Sequence, residues 1–78
     1  MPHVASLEFS GAKLRAARKQ AGLSVAELAD LACRGVDSVY HYEQGAQRPS
    51  VNAVKAMARI LGLDYADLLS IEDVKPDA

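Results

Sequence analysis

The chain has one cysteine, Cys33, no tryptophan and a single phenylalanine among its 78 residues. One thiol cannot form an internal disulfide, so covalent stapling of the fold is excluded. A structural zinc site needs about four nitrogen or sulfur ligands, and the sequence offers only Cys33, His3 and His41. No metal and no cofactor are expected. No apolar run approaches the roughly 20 residues that span a bilayer. Residues 1–9 also lack a basic segment leading into an apolar core, so no signal peptide is read. The expectation is a soluble, cytoplasmic protein with no membrane partner, and the lone thiol agrees with a reducing compartment. A nucleophile–base pair at workable spacing, a phosphate-cradling glycine loop and paired catalytic carboxylates are all missing, so the chain reads as a non-enzyme. Its length allows one domain with a small core, for which a partner subunit would be a help.

Charge of one sign is scarce as well, with a net charge of −1. The distribution says more than the total. Eight of the nine Lys/Arg lie within residues 1–63 beside five of the ten acids, whereas residues 64–78 hold Lys75 and the other five acids. A weakly basic body with an acidic end is the pattern of a binding domain with a charged tail, or simply of a solubilising tail.

What is present is helical periodicity. Aromatics are few, alanine is abundant, and no stretch alternates with period two long enough to read as a strand. Gly11, Gly22, Gly35, Gly45 and Gly62 fall at intervals of about one short helix, and Pro49 and Pro76 close off segments. Ser24-Val25-Ala26-Glu27 is a capping box, and Leu23 and Leu28 flank it as a hydrophobic staple. Phe9 and Leu14 around Ser10 repeat that spacing, as do Leu63 and Leu68 around Asp64. The breaks and caps predict helices over 10–21, 25–32, 36–44 and 51–61 and a short fifth helix over 65–69. Only Cys33, Arg34 and Gly35 join the second helix to the third. So short a connection forces a steep crossing, the geometry of a helix-turn-helix. The domain division read from this is a flexible arm over 1–8, a body over 9–69 and an acidic tail over 70–78.

The ordered set Gly22-Leu23-Ser24, Leu28-Ala29, Val39, Tyr42-Glu43-Gln44-Gly45, Pro49-Ser50, Ala58, Leu61-Gly62-Leu63 and Leu68-Leu69 resembles the lambda-repressor/Cro-like (XRE-type) helix-turn-helix family. The resemblance runs over residues 9–69 without insertion or deletion. It implies an all-α, compact five-helix domain with the helix-turn-helix at helices 2 and 3. It also implies a sequence-specific double-stranded DNA-binding transcriptional regulator, a homodimer reading a palindromic operator with helix 3 in the major groove. In this family an arginine of helix 1 pairs with the glutamate closing helix 3, which here makes Arg18 and Glu43 a structural ion pair.

Carried over position by position, the resemblance puts Val36, Asp37, Tyr40 and His41 against bases. Ser24, Val25, Arg34, Ser38, Gln47 and Arg48 would meet phosphates, the first two through backbone N–H groups at the start of helix 2. The departures fall on this face. Val25 stands where an amide side chain is frequent and can offer only its backbone. Cys33 stands where glycine is usual, which puts a non-glycine residue in a left-handed turn unless Gly35 absorbs it. Val36 can touch only a thymine methyl. Asp37 either accepts from cytosine N4 or serves the helix dipole in the first turn. His41 either donates to guanine or a phosphate, or is an ordinary surface histidine. Tyr40 reads a base or belongs to a protein interface, and Cys33 beside Arg34 is a turn residue or a reactive thiol. These departures and the low charge motivate a second reading: a protein–protein interaction module, antitoxin-like or anti-repressor-like, on the same fold. Tyr65, Leu68, Leu69, Ile71 and Val74 supply a candidate dimer surface.

Overall fold

The computed structural model describes the backbone of residues 4–74 and the side chains of residues 8–70. The element order is β1 (Val4–Phe9), α1 (Gly11–Gln20), α2 (Val25–Leu31), α3 (Val36–Gln44), α4 (Val51–Leu61), a 3₁₀ turn (Tyr65–Leu68) and β2 (Leu69–Val74). Among the described residues, no helix is long and apolar enough to cross a membrane.

Each helix begins where the sequence supplies an acceptor for its first N–H groups, α3 excepted. Ser10 Oγ accepts from the Lys13 N–H at 3.2 Å, and Ser50 Oγ accepts from the Ala53 N–H at 3.1 Å. At α2 the capping box closes reciprocally: Ser24 Oγ accepts from the Glu27 N–H at 3.0 Å, and the Ser24 N–H donates to Glu27 Oε1 at 2.8 Å. That backbone hydrogen bond, with the Ser24 side chain as the lesser contributor, holds the Glu27 carboxyl below the usual carboxylate range. Gly35 caps α3 with no side chain at all.

The helix ends share one device. After α1, α3 and α4 a glycine turns left-handed, at φ 74° for Gly22, 76° for Gly45 and 71° for Gly62. The next N–H groups, those of Leu23, Ala46 and Leu63, then reach back to the carbonyls of Arg18, His41 and Ala58 at 3.1, 3.0 and 2.8 Å. After α2 the same closure forms, Arg34 N–H to Ala29 C=O at 2.8 Å, but the left-handed residue is Cys33, at φ 54°. Gly35, at φ −71°, does not absorb the turn. Holding a residue with a Cβ in this region costs about 1 kcal/mol. The Cys33 side chain is exposed, so little packing offsets that cost. Cys33→Gly is expected to raise the melting temperature by about 5 °C for each kcal/mol relieved. No rise in a thermal melt would show that the thiol returns as much as the backbone costs.

The core draws one or more side chains from every helix. Leu14, Leu28, Val39, Val54, Met57 and Leu68 are fully buried, and the small Ala29 and Ala53 are buried among them. Tyr42 is buried beside Phe9, the rings edge to face at 6.5 Å and 75°.

Two expectations need correction. The fifth helix is a 3₁₀ turn, with Asp67 N–H bonded to Asp64 C=O at 2.9 Å and Leu69 already extended at φ −108°, ψ 151°. Four residues are too few to establish α-helical bonding before the chain is drawn straight. The expectation of no strand also fails among the described residues. Backbone 4–9 pairs antiparallel with backbone 69–74, placing Leu7 opposite Ile71 and Phe9 opposite Leu69. Alternation over half a dozen residues is weak evidence by itself, and here the partner strand lies some sixty residues away in sequence. The ribbon is tied to the body where β1 becomes α1: the Ser10 N–H donates to Leu68 C=O at 2.9 Å, and Lys13 Nζ to Leu69 C=O at 2.6 Å. The rest of the proposed arm, residues 1–3, and of the acidic tail, residues 75–78, lies outside the described residues, as do the side chains of Ile71 and Val74.

Candidate nucleic-acid interface

Helix α3 is anchored by one stripe and presents another. Val39 and Tyr42 point into the core against α2, whose Ala29 is nearly fully buried at the approach. At the C-terminal end, Glu43 takes a two-pronged bond from α1. Arg18 Nε donates to Glu43 Oε2 at 2.6 Å and Arg18 Nη2 to Glu43 Oε1 at 3.0 Å, while Nη1 donates to the Leu23 carbonyl at 2.8 Å. The two side chains are 11% and 6% exposed, so the pair is largely out of water. The hydrogen bond to Glu43 raises the Arg18 pKa further, so the guanidinium stays charged wherever the domain is folded. One arginine thus fixes the end of α3 to α1 and the α1–α2 loop together.

With α3 held this way, Val36, Asp37, Tyr40 and His41 all lie on its exposed side; Val36 is 50% and Tyr40 49% exposed. The Tyr40 and His41 rings sit 6.0 Å apart at 60°. Ser38 is half-buried at the edge of this stripe. Asp37 lies in the first turn of α3 and His41 in the last, so both fit the helix dipole as well as an outward role.

The residues expected at phosphates are spread around that helix. Arg34 is exposed in the turn before α3, and Gln47 and Arg48 are exposed after it. Arg48 is paired through Nη2 with Glu8 Oε2 on β1, a partner the sequence reading missed because it sits forty residues away. At the start of α2 the Ser24 hydroxyl and N–H are both spent in the capping box. The N–H groups left without an intrahelical acceptor are those of Val25 and Ala26.

Between these elements runs an open groove of about 420 Å³, lined by Arg15, Arg18, Val25, Tyr40, Glu43 and Gln44. Neither Arg15 nor Gln44 was expected at the site, although Gln44 belongs to the string that carries the resemblance. The signal for both was there, since Arg15 precedes Arg18 by three on α1 and Gln44 comes four after Tyr40 on α3, spacings that share a helix face.

Comparison with known proteins agrees with this architecture. The family model described as a helix-turn-helix domain matches residues 11–70. A curated relative from Aeropyrum pernix, assigned by inference as an HTH-type transcriptional regulatory protein, is 33% identical over 66 residues. That alignment takes in 85% of this chain but only 20% of the relative, so the chain spans about a fifth of its length. Among solved structures, the restriction-modification controller protein C.AhdI from Aeromonas hydrophila superposes with a TM-score of 0.72 at 29% identity, over 74% of this chain and 88% of that one. SinR, a master regulator for biofilm formation, superposes in its complex with DNA with a TM-score of 0.71 at 25% identity, over 74% of this chain and 94% of that one. A SinR protein/SinI protein complex is matched as well, with a TM-score of 0.72 at 25% identity, over 74% of this chain and 57% of that one.

Proposed function

This chain belongs to the helix-turn-helix domain family, of the lambda-repressor/Cro-like (XRE) type, and from that premise we propose that it is a cytoplasmic, sequence-specific regulator of transcription that binds double-stranded DNA through α3. The observation that carries the reading is the division of α3 into two stripes. Val39 and Tyr42 are locked inside while Val36, Asp37, Tyr40 and His41 stand outward on a helix whose end is fixed by a buried ion pair. An α-helix with side chains is about 10–12 Å across and the major groove about 12 Å wide, so this stripe would face base edges.

In this reading Val36 contacts a thymine methyl, Asp37 accepts from cytosine N4 or serves only the dipole, and Tyr40 and His41 carry most of the discrimination. Arg34, Ser38, Gln47, Arg48 and the backbone at Ser24 and Val25 hold phosphates and set the register. Arg48 exchanges Glu8 for a phosphate on binding. A homodimer would read two half-sites of a palindromic operator. The rival reading, a protein-interaction module, is favoured by the exposure of Val36 and Tyr40 and by the similarity to SinR, whose solved complexes include one with a protein as well as one with DNA.

The test is selection from random duplexes, followed by anisotropy of the winning sequence across a salt series. A palindromic winner is expected, with a log–log salt slope of about −0.9 per phosphate held. Arg34→Ala and Arg48→Ala should weaken all duplexes alike, while Tyr40→Ala and His41→Ala should change which sequence wins. Failure to enrich any sequence would sink the DNA-reading role and favour the protein-interaction module.

A further inference from the structure

The ribbon of β1 and β2 has two open edges. It is a sheet of two strands, and among the described residues neither strand pairs with any other. The described residues extend 44 Å along one axis and 22 and 20 Å along the others. Six residues of strand are about 20 Å long, so the ribbon's own length accounts for the difference and it stands off the helical body. Such a ribbon is marginally stable by itself in water. The ladder fixes which of its backbone groups face outward. The Ser10 N–H donates to Leu68 C=O, one step beyond the Phe9–Leu69 pair in the same register. Bonded and non-bonded positions alternate along an antiparallel pair. The even-numbered residues of β1 therefore bond to β2, and Ala5, Leu7 and Phe9 turn their N–H and C=O groups to the outer edge. On β2 the outward groups are those of Leu69, Ile71 and Asp73, and the bond from Lys13 Nζ to Leu69 C=O at 2.6 Å agrees.

We infer that a second copy of this chain pairs antiparallel with β1 along its outer edge, joining the two ribbons into one four-stranded sheet across a twofold axis. This names the surface of the homodimer read above and rests on that reading, though not on its DNA contacts. The two edges are not equivalent. On β2, Lys13 claims the first outward carbonyl. A twofold pair of β2 would also bring Glu72 and Asp73 of both copies into adjacent strands, and like charges there oppose pairing. On β1 there is one acid, Glu8, and its carboxylate is already paired with Arg48. The open edge is that of β1. With Ser6 on the axis, Ala5 of each copy lies opposite Leu7 of the other, and the two positions exchange both N–H to C=O bonds. That register keeps one face continuous through all four strands, the face that positions 7 and 71 share with Phe9 and Leu69. Phe9 carries the same face into the core beside Tyr42. Leu68, read from the sequence as part of a dimer surface, is fully buried and takes no part.

The experiment is sedimentation equilibrium of the full chain without DNA, from micromolar to millimolar concentration. Wild type should reach the mass of two chains. Ala5→Pro removes an outward N–H and leaves the bonds between β1 and β2 intact; it should weaken the dimer roughly tenfold or more. Ala5→Val keeps the N–H and suits a strand, so it should dimerise at least as well as wild type. Leu7→Lys, which keeps every backbone donor, should also dissociate the dimer, because a lysine blunts an edge. Asp73→Pro makes the proline change on the other edge and should leave the dimer as it is. Thermal melts of Ala5→Pro and wild type, both taken where wild type is monomeric, should agree, which separates lost pairing from lost folding. A wild type that stays monomeric throughout overturns the inference and the homodimer reading together, and leaves the edge to a strand of another protein. A dimer that survives both Ala5→Pro and Leu7→Lys overturns the inference alone. One that dissociates on Asp73→Pro instead overturns it by moving the pairing to β2.

Discussion

Glu43→Ala is expected to destabilise the domain by about 3 kcal/mol or more, enough to lower its melting temperature by roughly 15 °C. The carboxylate is 6% exposed and receives two of the three bonds that Arg18 makes. Removing it leaves a guanidinium that cannot lose its proton, held out of water with only the Leu23 carbonyl for company. Arg18→Ala is expected to cost a similar amount from the other side, and it also releases Leu23 and so the loop entering α2. The pair as a whole is another matter. Replacing both partners by apolar residues of like volume, Arg18→Met with Glu43→Leu, should recover most of the loss, because the desolvation of two charges disappears along with their attraction. Thermal or denaturant unfolding of the two single variants and the double variant closes the cycle. A double variant no better than either single one would show that the bonds themselves, and not the unmatched charge, hold the helices. DNA binding adds a second readout. If the pair only positions α3, the double variant should keep its sequence preference once it is assayed well below its melting temperature.

That ion pair was legible in the sequence, but only through resemblance, since no spacing rule joins Arg18 to Glu43 across twenty-five residues. The helices were legible on physical grounds. Ser10, Ser24 and Ser50 announce starts, and glycines announce ends, because capping is local chemistry decided within a few residues. The same locality explains what was missed. Whether Tyr65–Leu68 becomes α-helix or a 3₁₀ turn depends on the segment after it, a strand whose partner is at the other end of the chain. The Arg48–Glu8 pair hangs on that same ribbon. In the candidate site, the outward stripe of α3 comes from period 3.6 once Val39 and Tyr42 are taken as inward. Arg15 could not be placed that way, because the groove it lines is completed by residues of α2 and α3.

Gly11→Ala is expected to be among the most damaging single-methyl additions in the chain, although the sequence marks Gly11 only as a break at the start of a helix. Its backbone is ordinary for an L-residue, so the requirement is space and not dihedral freedom. A Cβ built at Gly11 would meet the Tyr42 carbonyl oxygen, the Glu43 carbonyl oxygen at 2.6 Å and the Glu43 carbonyl carbon at 2.9 Å. These are backbone atoms of α3, so no rotamer change makes room. Either α1 lifts off α3 or the last turn of α3 unwinds. Lifting α1 would disturb the packing of Leu14 and stretch the Arg18–Glu43 bonds; unwinding α3 would disturb the closure at Gly45. Overpacking of this kind costs about 1–3 kcal/mol, against which alanine's better helix propensity returns under about 1 kcal/mol. The net loss should appear as a melting temperature lower by roughly 10 °C. The manner of accommodation would be visible in DNA binding. If α1 moves and α3 keeps its shape, affinity falls while the preferred sequence stays. If α3 yields instead, the spacing of Tyr40 and His41 changes and the preference itself shifts. A variant with wild-type stability would mean that α1 and α3 do not approach this closely in solution.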